Sequence, residues 1–503
     1  MSLSQRLFTE KIIAQLGGAT ILLACTLLVG RVSGIMREFL LAAKLGTSAE
    51  ADYAVVLLTL PDLLVNLLVA GGLSAVLVPQ FRRCDNVERR QLFWHVSGIT
   101  VVVFGAIAAI SILAPQIIFW LLVPGLHAPV ERIGALPIAF AALAIPLSAL
   151  SGVSGSYLNA DDRYFVVGLG TVMFNLAIVF ALIFVGDGDP GLLLIAAGVF
   201  FGALARWVSQ LWSMPGNIWL YRGQPSNTID IPWSAFFAAT TAAASTLLVP
   251  VIIRAAASAT GVGAVASLNY AQKLVELPTG VLFSAMSTVA LTRMSRAHVE
   301  KGGDAAWQQL SSGLQQVLLL ALMATVGSVC FAEPIVEIAY GYGAMSAPAL
   351  NIVAALFGIG AIGLPAIAFN LLVMAYLNAT GRPFLVFRAT FAALAALLIF
   401  ILPGVLQGSL NLLVWASVVS QMFLALVLIL VVKHTDHLKW RSWLAVVASR
   451  EWIGRLLVGI IIMLLAVVLN WSFGVEESII SLGIMAAAFA MAVIASHRHR
   501  DST

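Results

Sequence analysis

The chain contains 503 residues, of which 61% are hydrophobic and only 10% are charged, and its formal net charge is +4. Soluble domains carry about a quarter charged residues, so this composition excludes an ordinary globular protein. The apolar surface is too large for one aqueous core, which indicates that lipid is the main solvent of the chain. No basic cluster typical of nucleic-acid binding occurs in the sequence, so we expect no nucleic-acid partner.

The cysteines and the polar residues give no sign of an enzyme. Cys25, Cys84 and Cys330 are scattered, without a CxxC pair or the spacing of metal ligands. This pattern is typical of small apolar or loop residues. No nucleophile–base motif or nucleotide-binding loop stands out, so we expect neither catalytic activity nor a bound metal or cofactor.

Apolar stretches of roughly 20 residues, the length of a membrane-spanning helix, recur along the whole chain. The first follows Arg6 and Lys11 and continues to about Ile35, which is too long for the core of a cleavable signal peptide. We predict an all-α polytopic membrane protein with about fourteen transmembrane helices. The predicted spans are 12–36, 51–78, 93–121, 134–158, 164–185, 191–220, 233–257, 264–290, 309–332, 348–378, 385–403, 410–432, 453–471 and 476–496.

Basic residues concentrate in alternate loops between these spans. The loops on the other side are short and neutral or acidic, as at 186–189 and 475–477. Because cytoplasmic loops carry the excess of Lys and Arg, we predict that both termini are cytoplasmic. The basic loops contain Arg82, Arg83, Arg89 and Arg90 after span two, Arg293, Arg296 and Lys301 after span eight, and Lys433, Lys439, Arg441 and Arg450 after span twelve.

Two motifs occur twice at nearly the same separation. Residues 53–61 and 270–278 both have the pattern YAxxLxxLP, and residues 157–165 and 376–384 both have the pattern YLNAxxRxF. The separations are 217 and 219 residues, which indicates one internal duplication. Because the repeat contains six helices, the sequence predicts two parallel six-helix lobes related by an axis along the membrane normal.

The duplication predicts three parts of the chain. An N-terminal lobe covers 1–222, a C-terminal lobe covers 223–434, and a C-terminal helix pair covers 435–503. Two parallel lobes suit a transporter with alternating access. We expect the YLNAxxRxF turns to close the cytoplasmic ends of the lobes, with Asn supplying the turn chemistry, although they could also be only stable turns.

Several ionisable residues lie inside or at the ends of the predicted spans, where charge is costly and usually faces a cavity or a partner. Arg31, Arg37 and Glu38 end span one, and Arg31 and Glu38, seven residues apart, share a helix face. Asp52 opens span two. These residues are therefore candidates for a functional site.

The second lobe carries a similar group. Arg254 lies in span seven, and Lys273 and Glu276 lie three residues apart in span eight, where they can pair along the helix. Cations outnumber acids near spans one, seven and eight, which favours an anionic ligand such as phosphate. The alternative is that these charges only neutralise each other and hold helices together. Arg206 and Arg388 lie near cytoplasmic span ends, and we predict that they snorkel.

Residues 30–38, Asp52, 60–64 and 74–79 resemble the MurJ/MviN-type lipid II flippases of the MOP exporter superfamily, and 270–282 resembles span eight of that family. With the fourteen-span plan, the resemblance covers essentially the whole chain. It implies a bacterial inner-membrane protein that moves the undecaprenyl-pyrophosphate-linked peptidoglycan precursor from the cytoplasmic to the periplasmic leaflet. It also implies a groove near spans thirteen and fourteen for the lipid tail.

The resemblance implies roles for individual residues. Arg31 and Arg37 match two cavity arginines, Asp52 matches an aspartate of span two, and Lys273 occupies the position of an arginine. The hypothesis is that Arg31, Arg37 and Lys273 bind the pyrophosphate, with Arg254 as a further cation. Asp52, Glu38 and Glu276 are candidate gating or ion-pair residues, and Asp52 pairs with Arg37 when the cavity is closed to the periplasm.

The chain departs from the family pattern at three positions. Val65 and Asn66 replace an arginine pair, and Ala70 replaces a glutamate. These departures keep open an exopolysaccharide repeat unit as cargo instead of lipid II. A cation-coupled small-molecule antiporter would need an acidic cavity, and a membrane scaffold that recruits cell-wall or polysaccharide synthesis proteins would not need the cavity charges. The resemblance implies coupling to membrane potential or sodium, although span eleven contains no acidic residue for a sodium site.

Overall fold

The computed structural model describes residues 29–65, 73–126, 129–186, 191–215, 218 and 248–435, and the regular elements in these ranges are helices. The chain divides into two compact units, Met1–Leu247 and Leu248–Thr503. The predicted lobe boundary at 222/223 and the predicted helix pair at 435–503 fall almost entirely outside the described residues, as do Asn66 and Ala70.

The first unit, lobe one, contains nine helices within the described ranges, of which α4 and α7–α9 are long and apolar. Helix α4 begins with a complete capping box. The Asp85 side chain accepts hydrogen bonds from the backbone N–H groups of Val87 and Glu88, and the Glu88 side chain accepts one from the backbone N–H of Asp85. The helices are α1 (29–45), α2 (Ala49–Val65), α3 (Leu73–Arg83), α4 (Asn86–Leu113), α5 (Pro115–Leu122), α6 (Pro129–Ile133), α7 (Ala135–Ala160), α8 (Tyr164–Ile183) and α9 (Leu192–Trp212).

The second unit, lobe two, continues with ten described helices and one short π-helical segment, Thr279–Phe283, between α11 and α12. This segment directly follows Pro278, where the ring removes a backbone donor. The helices are α10 (Leu248–Ala257), α11 (Ala264–Pro278), α12 (Ser284–Lys301), α13 (Gly303–Cys330), α14 (Ala332–Tyr340), α15 (Ala347–Ala361), α16 (Leu364–Ala379), α17 (Pro383–Phe400), α18 (Leu402–Gln407) and α19 (Leu410–Thr435).

The prediction of an all-α polytopic membrane protein is confirmed, whereas the predicted number of fourteen spans is not. Among the described residues, eight helices are long and apolar enough to cross a membrane, or nine when the bent pair α15 and α16 counts as one span. The bend of that pair is 43° and lies just before Pro365, one of the residues at which a helix is expected to kink. The total of fourteen stays a prediction, because spans thirteen and fourteen lie outside the described residues.

The helix bounds support the duplication seen in the sequence. Helices α4 and α13 both contain 28 residues and begin at Asn86 and Gly303, which are 217 positions apart. Helices α5 and α14 begin at Pro115 and Ala332, again 217 positions apart. Equivalent helices therefore follow one another at nearly constant spacing, as expected when two copies of one unit diverge in sequence and keep their fold.

The repeated YLNAxxRxF turn has the same backbone geometry in both lobes. A residue with positive φ ends the helix, Asp162 (φ 58°) in lobe one and Gly381 (φ 75°) in lobe two. The next residue, Arg163 or Arg382, donates its backbone N–H back to Leu158 or Leu377 at 2.9 and 2.8 Å. The asparagines contribute their backbone carbonyl oxygens, so the turn depends on backbone hydrogen bonds of the helix C-terminus.

In lobe one an arginine of α4 fixes this turn. The guanidinium of Arg89 donates to Asp161 Oδ1 at 2.7 Å and to the backbone oxygen of Tyr157 at 2.9 Å. It also lies 4.1 Å from the centre of the Tyr157 ring, within range of a cation–π interaction. The side chain of Arg89 is only 13% exposed, so these contacts are shielded from solvent.

Helices α8 and α9 approach each other closely through two glycines of α9. A Cβ atom at Gly198 would lie 2.8 Å from Ala181 Cβ, and one at Gly202 would lie 2.8 Å from the backbone oxygen of Phe174. The two glycines form a GxxxG pattern, which lets helix backbones pack directly in lipid. This contact brings α8 and its polar residue Asn175 into a fixed position within lobe one.

The glycine contact predicts opposite effects for the same substitution at two sites. In Gly202→Ala the new methyl group would overlap the backbone of α8 at Phe174, so the helices must move apart. We expect the free energy of unfolding to fall by about 1–3 kcal/mol. Gly105→Ala has no atom within 4 Å of the new methyl group, and alanine is favoured in a helix by about 1 kcal/mol. Melting curves of the two purified variants test this, and a Gly202→Ala protein as stable as the Gly105→Ala protein would contradict the close packing.

The turn contact predicts that Arg89 stabilises lobe one. Arg89→Ala removes two charge-assisted hydrogen bonds and a cation–π contact, and we expect a loss of about 1–3 kcal/mol. Arg90→Ala is the matched control, an arginine of the same helix whose Nε donates to the backbone oxygen of Asn86 one turn away. Melting temperatures of both variants give the comparison, and equal values would show that Arg89 does not hold the turn.

Candidate functional site

Helix α1 presents its three charged residues in different environments. Arg31 is exposed, whereas Arg37 is 5% exposed and Glu38 is 2% exposed. The helix face shared by Arg31 and Glu38 therefore does not give them a shared environment. Of the two arginines predicted to bind phosphate in lobe one, Arg31 is accessible in this conformation and Arg37 is buried.

Arg37 is the centre of a buried polar network that joins α1 to α8. It forms an ion pair with Glu38 at 2.8 Å and donates to Asn175 Oδ1 at 3.3 Å. The amide of Asn175 donates in turn to Gly30 O at 3.2 Å and to Ser33 Oγ at 3.1 Å. A buried ion pair is tolerated better when further hydrogen bonds satisfy its remaining atoms, and Asn175 Oδ1 supplies one such bond to Arg37.

Asp52 lies in the first turn of α2 and is completely buried. A carboxylate at this position is stabilised by the positive end of the helix dipole. The backbone N–H of Asp52 donates to Ser48 O at 3.2 Å, which begins the helix. The pairing of Asp52 with Arg37 in a closed state stays a prediction.

Lobe two holds Arg254 with a neutral partner. A terminal nitrogen of Arg254, on α10, donates to Asn269 Oδ1 on α11 at 3.0 Å. Arg254 is half-buried and Asn269 is 4% exposed, so the amide lies in the protein interior and the arginine lies at its edge. The hydrogen bond links α10 to α11 and orients the guanidinium.

The predicted pairing of Lys273 with Glu276 along α11 is confirmed. Lys273 Nζ lies 2.9 Å from Glu276 Oε2, and the two side chains are 27% and 52% exposed. Ion pairs at this level of exposure contribute about 0–1 kcal/mol to stability. The Lys273–Glu276 pair therefore contributes little to the stability of the fold.

The prediction that Arg206 snorkels is wrong, whereas Arg388 is exposed. Arg206 is only 3% exposed and is buried within lobe one. The cause is Gly170 on α8, where even a Cβ atom would lie 2.9 Å from Arg206 Cγ, so the glycine leaves room for the arginine stem. Arg388 is exposed, and its guanidinium lies 5.0 Å from the centre of the Phe384 ring.

Sequence reasoning misses the two asparagines that hold the arginines. Asn175 is the single amide side chain in the apolar helix α8, a signal that could have identified it. Asn269 precedes the repeated YAxxLxxLP motif directly and could have been found by comparing the two copies. Each lobe, taken by itself, contains cations and amides among its described residues, and these groups are donors that suit phosphate oxygens.

Comparison with known proteins identifies the family. A family model described as lipid II flippase MurJ matches residues 41–482. The lipid II flippase MurJ of Burkholderia cenocepacia is 27% identical over 360 residues, which cover 67% of this chain and 69% of that protein.

Solved structures share the fold. The inward closed conformation of a lipid II flippase MurJ superposes with a TM-score of 0.82 at 18% identity and covers 95% of this chain and 99% of that one. The inward-facing form of a multidrug resistance MATE family transporter of the MOP superfamily gives a TM-score of 0.62 at 14% identity, with coverage of 82% and 99%. Because the family model matches most of the sequence, the chain belongs to the lipid II flippase MurJ family, whose members are multi-pass transporters of the bacterial inner membrane and not enzymes.

Proposed function

We propose that this protein moves lipid II, the polyprenyl-pyrophosphate-linked peptidoglycan precursor, from the cytoplasmic to the periplasmic leaflet by alternating access. The observation that carries the proposal is the match of the lipid II flippase family model to residues 41–482. Cations on α1, α10 and α11 supply the chemistry that a pyrophosphate group needs.

The four candidate cations contribute differently to this proposal. Arg31 is exposed, and Lys273 and Arg254 are partly exposed, so each of these side chains is open to an anion without rearrangement of the core of its own lobe. Arg37 is buried against Glu38, so it contributes only if α1 moves relative to α8 or if the ion pair opens. Asp52, Glu38 and Glu276 are then the acids that form ion pairs with the cations after the substrate has left.

An exopolysaccharide repeat unit on the same lipid carrier is the second candidate cargo. It is favoured by Val65, Asn66 and Ala70, which stand where the family pattern has charged residues. The polyprenyl-pyrophosphate group is common to both substrates, so the cations serve either one. A cation-coupled drug antiporter is less consistent with the surplus of basic residues, since a cationic substrate requires acidic groups.

The transport cycle needs a source of energy and a defined orientation. We propose coupling to the membrane potential or to an ion gradient, with no bound cofactor. We also propose that both termini are cytoplasmic, because the arginine-rich loops after spans two and eight would then face the cytoplasm. Membrane lipids and proteins of cell-wall or polysaccharide synthesis are the expected partners.

Complementation tests the cargo and the basic residues together. In cells depleted of their own lipid II flippase, we expect this chain to restore growth and Arg31→Ala or Arg37→Ala to abolish the rescue, because substrate charge is no longer balanced. Arg388→Ala is the matched control, an exposed arginine that contacts Phe384 in its own helix. Membrane levels of each variant must be measured, since Arg37→Ala leaves Glu38 buried without its arginine.

Rescue that survives loss of both Arg31 and Arg37 would contradict the assigned role of these arginines. Absence of rescue by the intact chain, at normal membrane levels, would contradict lipid II as the cargo. The positions Val65, Asn66 and Ala70 would then be the first to examine for a different saccharide.

Two native cysteines test the orientation. Cys84 lies in the turn between α3 and α4, and Cys330 ends α13, so the proposed orientation places Cys84 in the cytoplasm and Cys330 in the periplasm. In single-cysteine variants, an impermeant maleimide applied to intact spheroplasts should label Cys330 alone, and the same reagent should label Cys84 in inverted vesicles.

The labelling conditions follow from the thiol of Cys84. Burial, and then the nearby carboxylates of Glu88 and Asp85, raise the pKa of this thiol, so less thiolate is present at neutral pH and labelling is faster at about pH 8 or above. The permeabilised sample is the control for reactivity. Labelling of Cys84 from outside intact spheroplasts would reverse the orientation.

A further inference from the structure

In lobe one, two arginines connect the YLNAxxRxF turn after α7 to the helices that precede it in the chain. Arg82, at the end of α3, donates to the backbone oxygen of Ala160 at 3.2 Å and to Asp162 Oδ1 at 2.6 Å. Arg89, on α4, forms its ion pair with Asp161 at 2.7 Å. The turn of lobe one is therefore held by side chains of the protein itself.

These ion pairs are not repeated in lobe two. At the 217- and 219-residue separations of the repeat, the two arginines and the two aspartates all correspond to uncharged residues. The counterparts of Arg82, Arg89, Asp161 and Asp162 are Val299, Ala306, Thr380 and Gly381. The turn after α16 therefore cannot be held by equivalent ion pairs.

A groove of about 590 Å³ lies at the equivalent place in lobe two, between the C-terminal part of α12 and the turn after α16. Val299 and Ala379, the counterparts of Arg82 and Ala160, both line it. The groove therefore includes the space that the Arg82 side chain crosses in lobe one. Its volume falls within the range of about 300–1,000 Å³ that is typical of sites for small ligands.

Two opposite charges line the groove one helical turn apart. Arg296 and Glu300 are both exposed, and neither forms an ion pair with another residue that the structure describes. The order of the two residues explains this, because an acid that follows its cation by four residues pairs less well than one that precedes it. Thr292, Ser295 and Asn378 add two hydroxyl groups and an amide to the same groove.

The groove lies at the level of the lipid headgroups. Helices α11 and α12 form one apolar helical stretch, Ala264–Lys301, of 38 residues, which is about 57 Å long at 1.5 Å per residue. A bilayer with its headgroups is about 40–45 Å thick. The last turns of α12 therefore extend beyond the hydrocarbon, into the layer that phospholipid headgroups occupy.

We propose that this groove binds the headgroup of a zwitterionic aminophospholipid, such as phosphatidylethanolamine. The charges of Arg296 and Glu300 cancel, and they match a ligand that carries an anion and a cation a few atoms apart. Arg296 contacts the phosphate, and Glu300 accepts hydrogen bonds from the ammonium group. Val299, which is 83% exposed, contacts the apolar part of the lipid below its headgroup.

The bound lipid links α12 to the turn after α16, as Arg82 links α3 to the turn after α7. It is a component of the membrane and not the transported substrate, so the inference goes beyond the proposed function. Lobe one holds its turn by internal ion pairs, and lobe two holds the equivalent turn through a lipid.

Photolabelling in nanodiscs tests the occupant of the groove. The full chain is placed in phosphatidylcholine nanodiscs with a trace of phosphatidylethanolamine that carries a diazirine in one acyl chain, close to the glycerol. Matching phosphatidylcholine and phosphatidylglycerol probes are used in parallel. We expect the phosphatidylethanolamine probe to label α12 about threefold more than either of the others, because its ammonium group donates to Glu300.

Three variants on α12 test the contacts. Glu300→Gln should lower labelling by the phosphatidylethanolamine probe to the level of the phosphatidylcholine probe, because the carboxylate is lost. Arg296→Gln should lower labelling by all three probes, because each contains a phosphate. Arg293→Gln is the matched control, an exposed arginine of the same helix that does not line the groove, and it should label like the wild type.

Val299→Arg gives lobe two the residue that lobe one has at this position. The new side chain fills the groove and can donate to the backbone oxygen of Ala379, as Arg82 donates to Ala160. We expect labelling of α12 by the phosphatidylethanolamine probe to fall about threefold or more. Phosphatidylethanolamine added to delipidated protein should raise the melting temperature of the wild type and leave that of Val299→Arg unchanged.

Several results would overturn the inference. Equal labelling of α12 by the phosphatidylethanolamine and phosphatidylcholine probes would show that the ammonium is not recognised. Stronger labelling by the phosphatidylglycerol probe would show that the groove takes an anionic lipid. Absence of labelling at α12 would show that no lipid occupies it. None of these results bears on the cargo, because complementation measures transport and the labelling measures a resident lipid.

Discussion

Lipid offers no hydrogen-bond partners, so the polar groups of a membrane-spanning segment must be satisfied within the protein. The backbone meets this condition by forming helices, and the buried side chains meet it by pairing across helices. In lobe one, Arg37 joins Glu38 and Asn175, and Asn175 continues to the backbone of α1. In lobe two, Asn370 on α16 donates to Gln421 on α19. These cross-links fix which helices lie together and therefore where the candidate site can form.

The same constraint explains the use of small residues. Apolar side chains gain little by leaving lipid for a protein interior, so helices associate through close backbone packing. Gly198 and Gly202 bring α9 against α8, and Gly170 makes the space that Arg206 occupies. At Arg206, a buried arginine is thus accommodated where the neighbouring helix has no side chain. The same glycines therefore determine how closely the helices pack and where a charged side chain can be buried.

The two copies of the repeat differ more in the side chains around equivalent residues than in their backbone. The turn after α7 and the turn after α16 each form the same two backbone hydrogen bonds, to the asparagine and to the leucine of the motif. In lobe one the turn tyrosine, Tyr157, lies under the charged guanidinium of Arg89. In lobe two its counterpart, Tyr376, packs edge-on against Trp307 with ring centres 5.8 Å apart. The backbone of the turn is thus conserved while the side chains that pack against its tyrosine differ between the two lobes.

The sequence by itself determined the membrane class, the helical fold, the duplication and the family resemblance, because composition, helix length and motif spacing are local properties. It also determined the Lys273–Glu276 pair, since residues three apart on a helix are neighbours. Only the tertiary structure decided the partners of Arg37 and the burial of Arg206. Asn175 lies 138 residues from Arg37 in the chain, and which side of α9 is covered depends on how α8 packs. Contacts between distant helices are set by three-dimensional packing, which periodicity within one helix does not specify.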